Sequence, residues 1–179
     1  MRVISGICGG RRLETPADDS VRPTTDKVKE ALFSSIQFEL EGAAVLDLFS
    51  GSGQLGIEAL SRGAAGAVFA DNSRSSVALT KKNLALCGLQ AKAMVHCGDS
   101  LAFLQQCTER FDIALLDPPY STGLLQQALP LVSGVMRENG VICAECPFGE
   151  ELPDSAGNGF RRTKVKKYGT MQLNYYRKR

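Results

Sequence analysis

The fold is decided by one stretch of the sequence, Asp47-Leu-Phe-Ser-Gly51-Ser-Gly53-Gln-Leu-Gly56. An apolar run typical of a buried strand, residues 44–49, leads into it, and a helical pattern follows over residues 54–62. The three glycines have the G-x-G-x-x-G spacing of a turn in which the backbone can approach a nucleotide closely. The stretch therefore predicts the first strand, loop and helix of a nucleotide-binding α/β sheet.

The same alternation of strand and helix continues through the middle of the chain. Apolar runs typical of strands lie at residues 44–49, 67–71, 93–97, 112–117 and 141–145. Helical patterns lie between them, near residues 54–62, 74–87, 99–107 and 123–136. Strands with so few polar residues fit a parallel sheet that is covered on both faces. The pattern predicts an α/β fold.

The two ends of the chain have different patterns. We expect an N-terminal β-hairpin over residues 2–15 and an amphipathic helix over residues 26–36. At the other end we expect a loop over residues 149–159, followed by a hairpin of strands 160–167 and 171–177. The chain is therefore expected to form one domain, residues 1–179. A hairpin and helix extension, 1–40, would precede a core, 41–179, that ends in a basic antiparallel hairpin.

Composition excludes several classes of protein. With 179 residues, 44% of them hydrophobic and 22% charged, the chain is close to the average for globular proteins. No apolar run approaches the roughly 20 residues of a membrane helix, and the N-terminus has no segment of the signal-peptide type. We expect a cytoplasmic protein that has no membrane partner and acts as a monomer.

Six cysteines are scattered along the chain, at positions 8, 87, 97, 107, 143 and 146. The only close pair is Cys143 and Cys146, and on a strand these two side chains would face opposite sides of the sheet. The single histidine, His96, has no partner at a spacing typical of zinc sites. We therefore expect buried, apolar thiols, with neither a disulfide framework nor a metal site.

The small net charge of +2 conceals a strong asymmetry. Residues 1–154 carry 13 basic and 19 acidic side chains, a net charge of −6, whereas residues 155–179 carry 8 basic and no acidic side chains. A cluster of this kind attracts phosphates. It is equally consistent with a solvated hairpin whose lysines protect the edge of a sheet from pairing with other chains.

Three aspartates lie at or just after the carboxyl ends of successive predicted strands, where a parallel sheet binds its ligand. Asp71 lies 18 residues after Gly53 and could accept the hydroxyl hydrogens of a ribose, and Asp99 could meet an adenine amino group. Either could instead serve only as a structural cap. Asp47 is placed to meet a cationic amino group, which favours S-adenosylmethionine over a dinucleotide with its pyrophosphate. The expected cofactor-binding residues are Asp47, Phe49, Gly51, Ser52, Gly53, Asp71, Asn72, Asp99 and Ser100.

The strongest chemical signal is Asp117-Pro118-Pro119-Tyr120, at the end of the fourth predicted strand. An aromatic exocyclic amino group is a poor nucleophile because its lone pair is delocalised into the ring. The carboxylate of Asp117 and the carbonyl of Pro118 could accept its two hydrogens and orient the lone pair towards a methyl group. Pro119 would stiffen the turn, and Tyr120 would offer a face on which an extruded base can stack. These four residues are the expected catalytic residues.

Six segments spread over the whole chain carry a family resemblance. They are Met1-Arg-Val-Ile-Ser-Gly6, Gly10-Arg-Arg-Leu13, Arg22-Pro-Thr-Thr-Asp26-Lys-Val-Lys-Glu-Ala-Leu-Phe33, Val45-Leu-Asp-Leu-Phe-Ser-Gly-Ser-Gly53, Gly56-Ile-Glu-Ala-Leu-Ser-Arg-Gly63 and Asp117-Pro-Pro-Tyr120. Together they resemble the ribosomal RNA small-subunit methyltransferase D family of class I S-adenosylmethionine-dependent enzymes. The chain departs from the family at Asp71, where relatives commonly carry glutamate.

The resemblance implies a Rossmann-like class I methyltransferase domain with a mostly parallel, seven-stranded sheet and helices on both faces. It implies S-adenosylmethionine as cofactor, S-adenosylhomocysteine as product, and methylation of guanine N2 at nucleotide 966 of 16S rRNA in a small-subunit particle. It also suggests that the segment with Arg22 and Thr24 folds over the cofactor or the target base. The local pattern there is simply a helix start, capped by Thr25 or Asp26.

Contacts to RNA phosphates are expected from basic residues of both terminal hairpins. The expected substrate-binding residues are Arg2, Arg11, Arg12, Arg22, Thr24, Arg161, Arg162 and Lys164. Three other functions stay open at this point: a nicotinamide oxidoreductase, a DNA amino-methyltransferase that uses the same four catalytic residues, and a non-catalytic RNA-binding module. Cofactor titration, product analysis on RNA and DNA, and a methyl-transfer assay would distinguish them.

Overall fold

A computed structural model of the chain describes residues 1–17 and 25–178. One sheet of eight strands runs through these residues in the order β3-β2-β1-β4-β5-β8-β7-β6. The strands are β1 Ala44–Leu48, β2 Gly66–Asp71, β3 Ala93–Cys97, β4 Phe111–Leu116, β5 Met136–Pro147, β6 Ser155–Gly157, β7 Phe160–Tyr168 and β8 Met171–Lys178. β1 to β5 are parallel, and β6, β7 and β8 are joined antiparallel at one side.

Within the described residues, five α-helices connect and cover the strands. They are α1 Asp26–Ser35, α2 Gln54–Ser61, α3 Arg74–Cys87, α4 Ser100–Gln106 and α5 Leu124–Gly134, with short 3-10 helices at Gln37–Glu39 and Gln90–Lys92. Side chains at the helix starts explain the boundaries. Thr25 caps α1, Ser73 caps α3 and Asp99 caps α4, in each case by accepting a backbone N–H of the first turn.

Helices cover both faces of the sheet, so the hydrophobic core has two layers. One layer packs α1, α2 and α3 against the sheet and contains Cys143; the other packs α4 and α5 against it and contains Cys146. The two thiols thus face opposite sides, as predicted. Cys8 and Cys87 are also buried, but Cys97 is exposed and Cys107 half-buried, so the prediction of buried thiols is wrong for Cys97.

The predicted fold class is confirmed, with three local corrections. The segment 149–159 was expected to be a loop, yet residues 155–157 form β6, an eighth strand. β5 begins at Met136, because Met136 pairs with Phe111 ahead of a bulge. The expected hairpin over 2–15 is present only as a short antiparallel pairing of residues 1–3 with residues 10–13, in which the N–H of Val3 donates to the carbonyl of Arg11 at 2.9 Å and that of Leu13 to the carbonyl of Met1 at 3.1 Å.

Side chains of α1 and α2 hold this short N-terminal hairpin in place. Glu58 of α2 is fully buried and accepts the backbone N–H groups of Ile4 at 2.8 Å and Ser5 at 3.0 Å. Arg62 Nε lies 2.8 Å and Lys29 Nζ 3.8 Å from the same carboxylate. Lys29 Nζ also donates to the carbonyl of Arg2. This buried cluster of Lys29, Glu58 and Arg62 fixes residues 1–5 against α1 and α2.

No helix within residues 1–17 and 25–178 is long and apolar enough to cross a membrane. In the same part of the chain, no group of three or more His, Cys, Asp or Glu side chains could hold a metal ion.

Candidate functional site

A cavity of about 490 Å³ opens at the carboxyl ends of the parallel strands. It lies where the strand order reverses between β1 and β4, which is the crevice in which open α/β sheets bind ligands. Twelve of the predicted site residues line it: Asp47, Phe49, Gly51, Ser52, Asp71, Asn72, Asp99, Ser100, Asp117, Pro118, Pro119 and Tyr120. The structure thus brings the predicted cofactor and catalytic residues to one place.

The glycine loop connects β1 to α2 with a tightly constrained backbone. Phe49 adopts a φ of 65°, a left-handed conformation that is strained for a residue with a side chain, and it lines the cavity. Gly53, the remaining predicted residue, does not line the cavity but precedes α2 with a φ of 78°. A Cβ on Gly56 would lie 2.3 Å from the ring of Phe69, so this glycine lets α2 pack closely on β2.

Asp71 shapes the loop as well as the cavity wall. Its carboxylate accepts the backbone N–H of Gly51 at 2.8 Å and that of Ser73 at 2.9 Å. A carboxylate has about four lone-pair sites, so acceptor capacity is left for a ribose hydroxyl. The structural role of Asp71 is thus present, and its place in the cavity wall leaves the predicted contact to a ribose possible.

Asp47 is almost completely buried beneath the loop. Its Oδ2 accepts the N–H of Gly56 at 2.8 Å. Burial raises the pKa of Asp47 well above its ordinary value of 3.8, the hydrogen bond from Gly56 opposes this, and the charges of Asp117 and Asp71 raise the pKa further. A cationic group in the cavity would offset that cost and favour the ionised carboxylate.

Asp99 and its neighbours form the wall below β3. Asp99 Oδ1 accepts the N–H of Ala102 at 2.7 Å, so the helix-capping role considered from the sequence is present. Asp99, Ser100 and Asn72 nevertheless line the cavity. Capping uses one oxygen of Asp99, which leaves the carboxylate able to accept a second hydrogen bond from a ligand.

Among the polar residues of the cavity wall that were missed from the sequence, two have a buried oxygen without a partner. Ser50 Oγ and Gln54 Oε1 are buried, and within the described residues neither has a hydrogen-bond partner. An unsatisfied buried polar atom is costly, so its presence in a cavity wall fits a ligand that supplies the missing bond. Both residues belong to the quoted glycine stretch, but only the three-dimensional arrangement distinguishes them from ordinary loop residues.

The residues fit S-adenosylmethionine. The acidic side chains of Asp47, Asp71 and Asp99 suit its ammonium, ribose hydroxyls and adenine amino group. The unsatisfied oxygen of Gln54 can accept one further donor. Among the described residues that line the cavity there is no lysine or arginine to pair with a pyrophosphate, and the carboxylates around the loop would repel one.

The predicted catalytic residues 117–120 follow β4 and line the same cavity as the glycine loop. Pro118 is buried, Asp117 is half-buried, and Tyr120 is 42% exposed at the mouth. A small adjoining recess is bounded by this segment and by the end of β5, including Pro147. An amino group that enters from the mouth would therefore meet Asp117 between Tyr120 and the cofactor region.

The predicted substrate-binding residues are not brought together. Arg2 pairs with Asp26 at 2.9 Å, and Arg11 donates to the carbonyl of Leu86, while Arg12 is exposed. Arg162 pairs with Asp154 at 2.5 Å, Lys164 lies 3.4 Å from Ser35 Oγ, and Arg161 is exposed. Arg22 and Thr24 lie outside the described residues.

Because β7 and β8 run along the sheet, the basic side chains of residues 155–179 lie at two different edges of it. Arg161 pairs with Arg177, which pairs with Val141 near the amino end of the parallel part of the sheet. The tip of the β7–β8 hairpin lies at the other edge, because Met171 pairs with Pro147. At about 3.4 Å per residue, Arg161 and Lys167 are roughly 20 Å apart along the strand. Lys166 and Lys167, not Arg161 and Arg162, are thus on the cavity side.

Comparison with known proteins gives a consistent assignment. The family described as conserved hypothetical protein 95 matches residues 1–177. The Bacillus subtilis protein YlbH is 40% identical over 100% of both chains. Ribosomal RNA small subunit methyltransferase D of Escherichia coli is 37% identical over 92% of this chain and 84% of that protein.

Solved structures show the same architecture. The Escherichia coli protein yhhF is 33% identical, with a TM-score of 0.87 over 99% of this chain and 98% of that one. A Thermus thermophilus 16S rRNA N2 methyltransferase, solved with AdoMet and guanosine, shares the fold with a TM-score of 0.71 over 87% of this chain and 44% of that one, at 23% identity. The chain therefore belongs to the conserved hypothetical protein 95 family, that of ribosomal RNA small subunit methyltransferase D, and it is an S-adenosylmethionine-dependent methyltransferase.

Proposed function

We propose that this enzyme methylates the exocyclic N2 amino group of a guanine in 16S rRNA, at nucleotide 966, within a small-subunit assembly particle in the cytoplasm. The observation that carries the proposal is the placement of Asp117-Pro118-Pro119-Tyr120 and the glycine loop in one cavity. The names of the curated relatives support ribosomal RNA as the substrate. The whole chain, 1–179, would act as one domain and as a monomer.

The chemistry assigned to the residues is positioning and desolvation. Bound S-adenosylmethionine supplies the methyl group on its sulfonium sulfur. Asp117 and the Pro118 carbonyl accept the two amino hydrogens of the guanine, which localises the nitrogen lone pair and lets the proton leave with or after transfer. Tyr120 stacks on the base once it is extruded from its neighbours.

RNA recognition is proposed to use both termini. Arg2, Arg11 and Arg12 would contribute from the N-terminal segment, with Arg22 and Thr24 of the adjoining stretch, and Arg161, Arg162 and Lys164 from the tail. The existing ion pairs of Arg2 and Arg162 would have to be exchanged for phosphate contacts. Exposed ion pairs contribute little to the free energy of unfolding, so exchanging them for phosphate contacts should hardly change the stability of the protein.

Methyl transfer with defined substrates tests the proposal. Ribosomal RNA and small-subunit particles from a strain that lacks the enzyme are incubated with labelled S-adenosylmethionine, and the modified nucleoside is then mapped. We expect label in N2-methylguanine of 16S rRNA, with particles favoured over naked RNA. Label in DNA adenine or cytosine would instead support the DNA amino-methyltransferase, and label at another rRNA atom would reject guanine N2.

A further inference from the structure

We propose that Phe148 and Lys167 form a second base-stacking surface beside the cavity, which binds an RNA nucleotide next to the target guanine. The inference rests on the proposed function because it takes RNA as the substrate. Its central residue, Phe148, is one that the sequence did not identify as part of the site.

Phe148 is a large apolar side chain at an exposed position, with 55% of its surface accessible. It directly follows β5, and the preceding Pro147 bounds the same small recess as Pro119 and Tyr120. The phenyl ring therefore lies at the edge of the sheet where the methyl acceptor must enter. An exposed aromatic ring next to such an entrance is a typical platform for an unpaired base.

The backbone of Phe148 is fixed in place. Its N–H donates to the carbonyl of Thr170 at 2.8 Å, which ties it to the tip of the β7–β8 hairpin. Phe148 is therefore held at the edge of the sheet and does not belong to a free loop. A preordered ring loses less conformational entropy when a base stacks on it.

Lys167 determines which side of the ring is available. Its Nζ lies 3.7 Å from the centroid of the Phe148 ring, a cation–π contact on one face. A base would stack on the opposite face, and the ammonium group would remain near the phosphate that follows it. The pair thus offers both a π surface and a positive charge.

Charge also determines the path of the RNA. A groove of about 620 Å³ is lined by Phe148, by the acidic residues Glu150, Glu151 and Asp154, and by Arg162, which pairs with Asp154, so its lining remains net acidic. Phosphates would be repelled there. The hairpin tip instead carries exposed Lys166 and Lys167. The RNA therefore passes over the tip towards Tyr120 and does not enter the groove.

Substitutions at Phe148 test the stacking surface. We expect Phe148→Ala to raise the KM for rRNA by roughly 5- to 100-fold, the range found for loss of one stacked base, while kcat at saturating RNA and the affinity for S-adenosylmethionine stay within about twofold. Phe148→Trp should restore a low KM and Phe148→Leu should not. Phe38→Ala is the matched control, because Phe38 is 92% exposed and precedes β1 at the opposite edge.

Lys167→Gln should also raise the KM for rRNA and flatten the log–log salt dependence of binding by roughly 0.7, whereas the control Lys92→Gln should not. An unchanged KM in Phe148→Ala, or an equal loss in Phe38→Ala, would reject the surface. A defect on particles but not on naked rRNA would indicate a ribosomal protein as the partner and would also reject it. Anisotropy of labelled rRNA with S-adenosylhomocysteine needs no turnover, so it tests stacking even if the guanine assignment fails.

Discussion

Asp117 and Asp47 are carboxylates of one cavity whose charges interact, yet they are expected to have different partners. Asp117 lies on the acceptor side and Asp47 beneath the glycine loop. We expect Asp117→Ala to leave S-adenosylmethionine affinity nearly unchanged and to slow methyl transfer by roughly 100- to 1000-fold, which corresponds to about 3–4 kcal/mol of lost positioning.

Calorimetry and single-turnover rates would separate binding from transfer in this variant. Tyr120→Phe should retain most activity and Tyr120→Ala should lose it, because stacking needs the ring but not the hydroxyl. A single-turnover rate of Asp117→Ala equal to that of the wild type would show that Asp117 does not hold the amino group.

Asp47 should make the stability of the empty enzyme depend on pH. Its pKa is well above 3.8 in the folded protein, so as pH rises past 3.8 the unfolded chain releases a proton that the folded protein still holds. Folding stability attributable to this residue therefore falls between pH 3.8 and the folded pKa, and is constant above it. The side chain of Asn does not titrate, so Asp47→Asn should not lose folding stability over this pH range.

Urea unfolding of both proteins at several pH values would measure the effect. The stability of Asp47→Asn relative to the wild type should grow through that window and then level off. Parallel stability curves would show that the pKa of Asp47 is the same in the folded and the unfolded protein. The same variant should bind S-adenosylmethionine more weakly, because its ammonium would lose the carboxylate.

At the scale of elements, the buried Lys29–Glu58–Arg62 cluster joins the N-terminal segment to α1 and α2. We expect Glu58→Ala to lower the free energy of unfolding by about 3–5 kcal/mol, because it leaves Lys29 buried without its counter-charge. Chemical denaturation checks this. Glu138→Gln is the matched control: Glu138 pairs with Lys178 at an exposed position, so its loss should hardly change stability. Equal effects would mean that the cluster is not stabilising.

The two ends of the β7–β8 hairpin should differ in their contribution to RNA binding. Arg161→Gln with Arg162→Gln removes two charges far from the cavity, one of them already paired with Asp154. Lys166→Gln with Lys167→Gln removes two on the cavity side. We expect the lysine pair to weaken binding more and to flatten the salt slope by up to about 1.4–1.8, with cofactor affinity unchanged. A larger effect of the arginine pair would place the RNA at the other edge.

The sequence was sufficient for elements that depend on local patterns. Apolar strands, the glycine loop and the carboxylates after each strand follow from periodicity and spacing, so the fold class and twelve cavity residues could be predicted. The packing of the N-terminal hairpin could not be predicted, because it depends on Glu58, a side chain 53 residues away from Ser5. β6 could not be predicted either, because three residues are too few to show the alternating pattern of a strand.

Contacts between residues that are distant in the sequence also explain why some site residues were missed and others misplaced. Nothing in the spacing shows that Gln54 Oε1 lacks a partner or that Phe148 adjoins Lys167. The sequence shows that residues 155–179 are basic. A count of charges does not show in which direction each strand runs. Only the register of β7 with β8 separates Arg161 from Lys167.

At the scale of the whole molecule, cofactor binding should be visible as thermal stabilisation. A ligand at 100 times its Kd adds about 2.7 kcal/mol, which for a domain of this size raises Tm by roughly 5–11 °C. We expect such a shift with S-adenosylmethionine and with S-adenosylhomocysteine, and none with NAD. An equal rise in Tm with NAD alone would contradict the assignment of the cavity to S-adenosylmethionine.

Met1 lines the cofactor cavity, and its sulfur accepts a hydrogen bond from Ser52 Oγ at 3.3 Å. Any polypeptide joined ahead of Met1 must therefore leave from the rim of that cavity. An affinity tag placed there would compete with the incoming RNA and change apparent activity without altering a single site residue. Lys178, by contrast, pairs with Phe160 at the far edge of the sheet, so a tag beyond it would be the suitable choice for every assay described above.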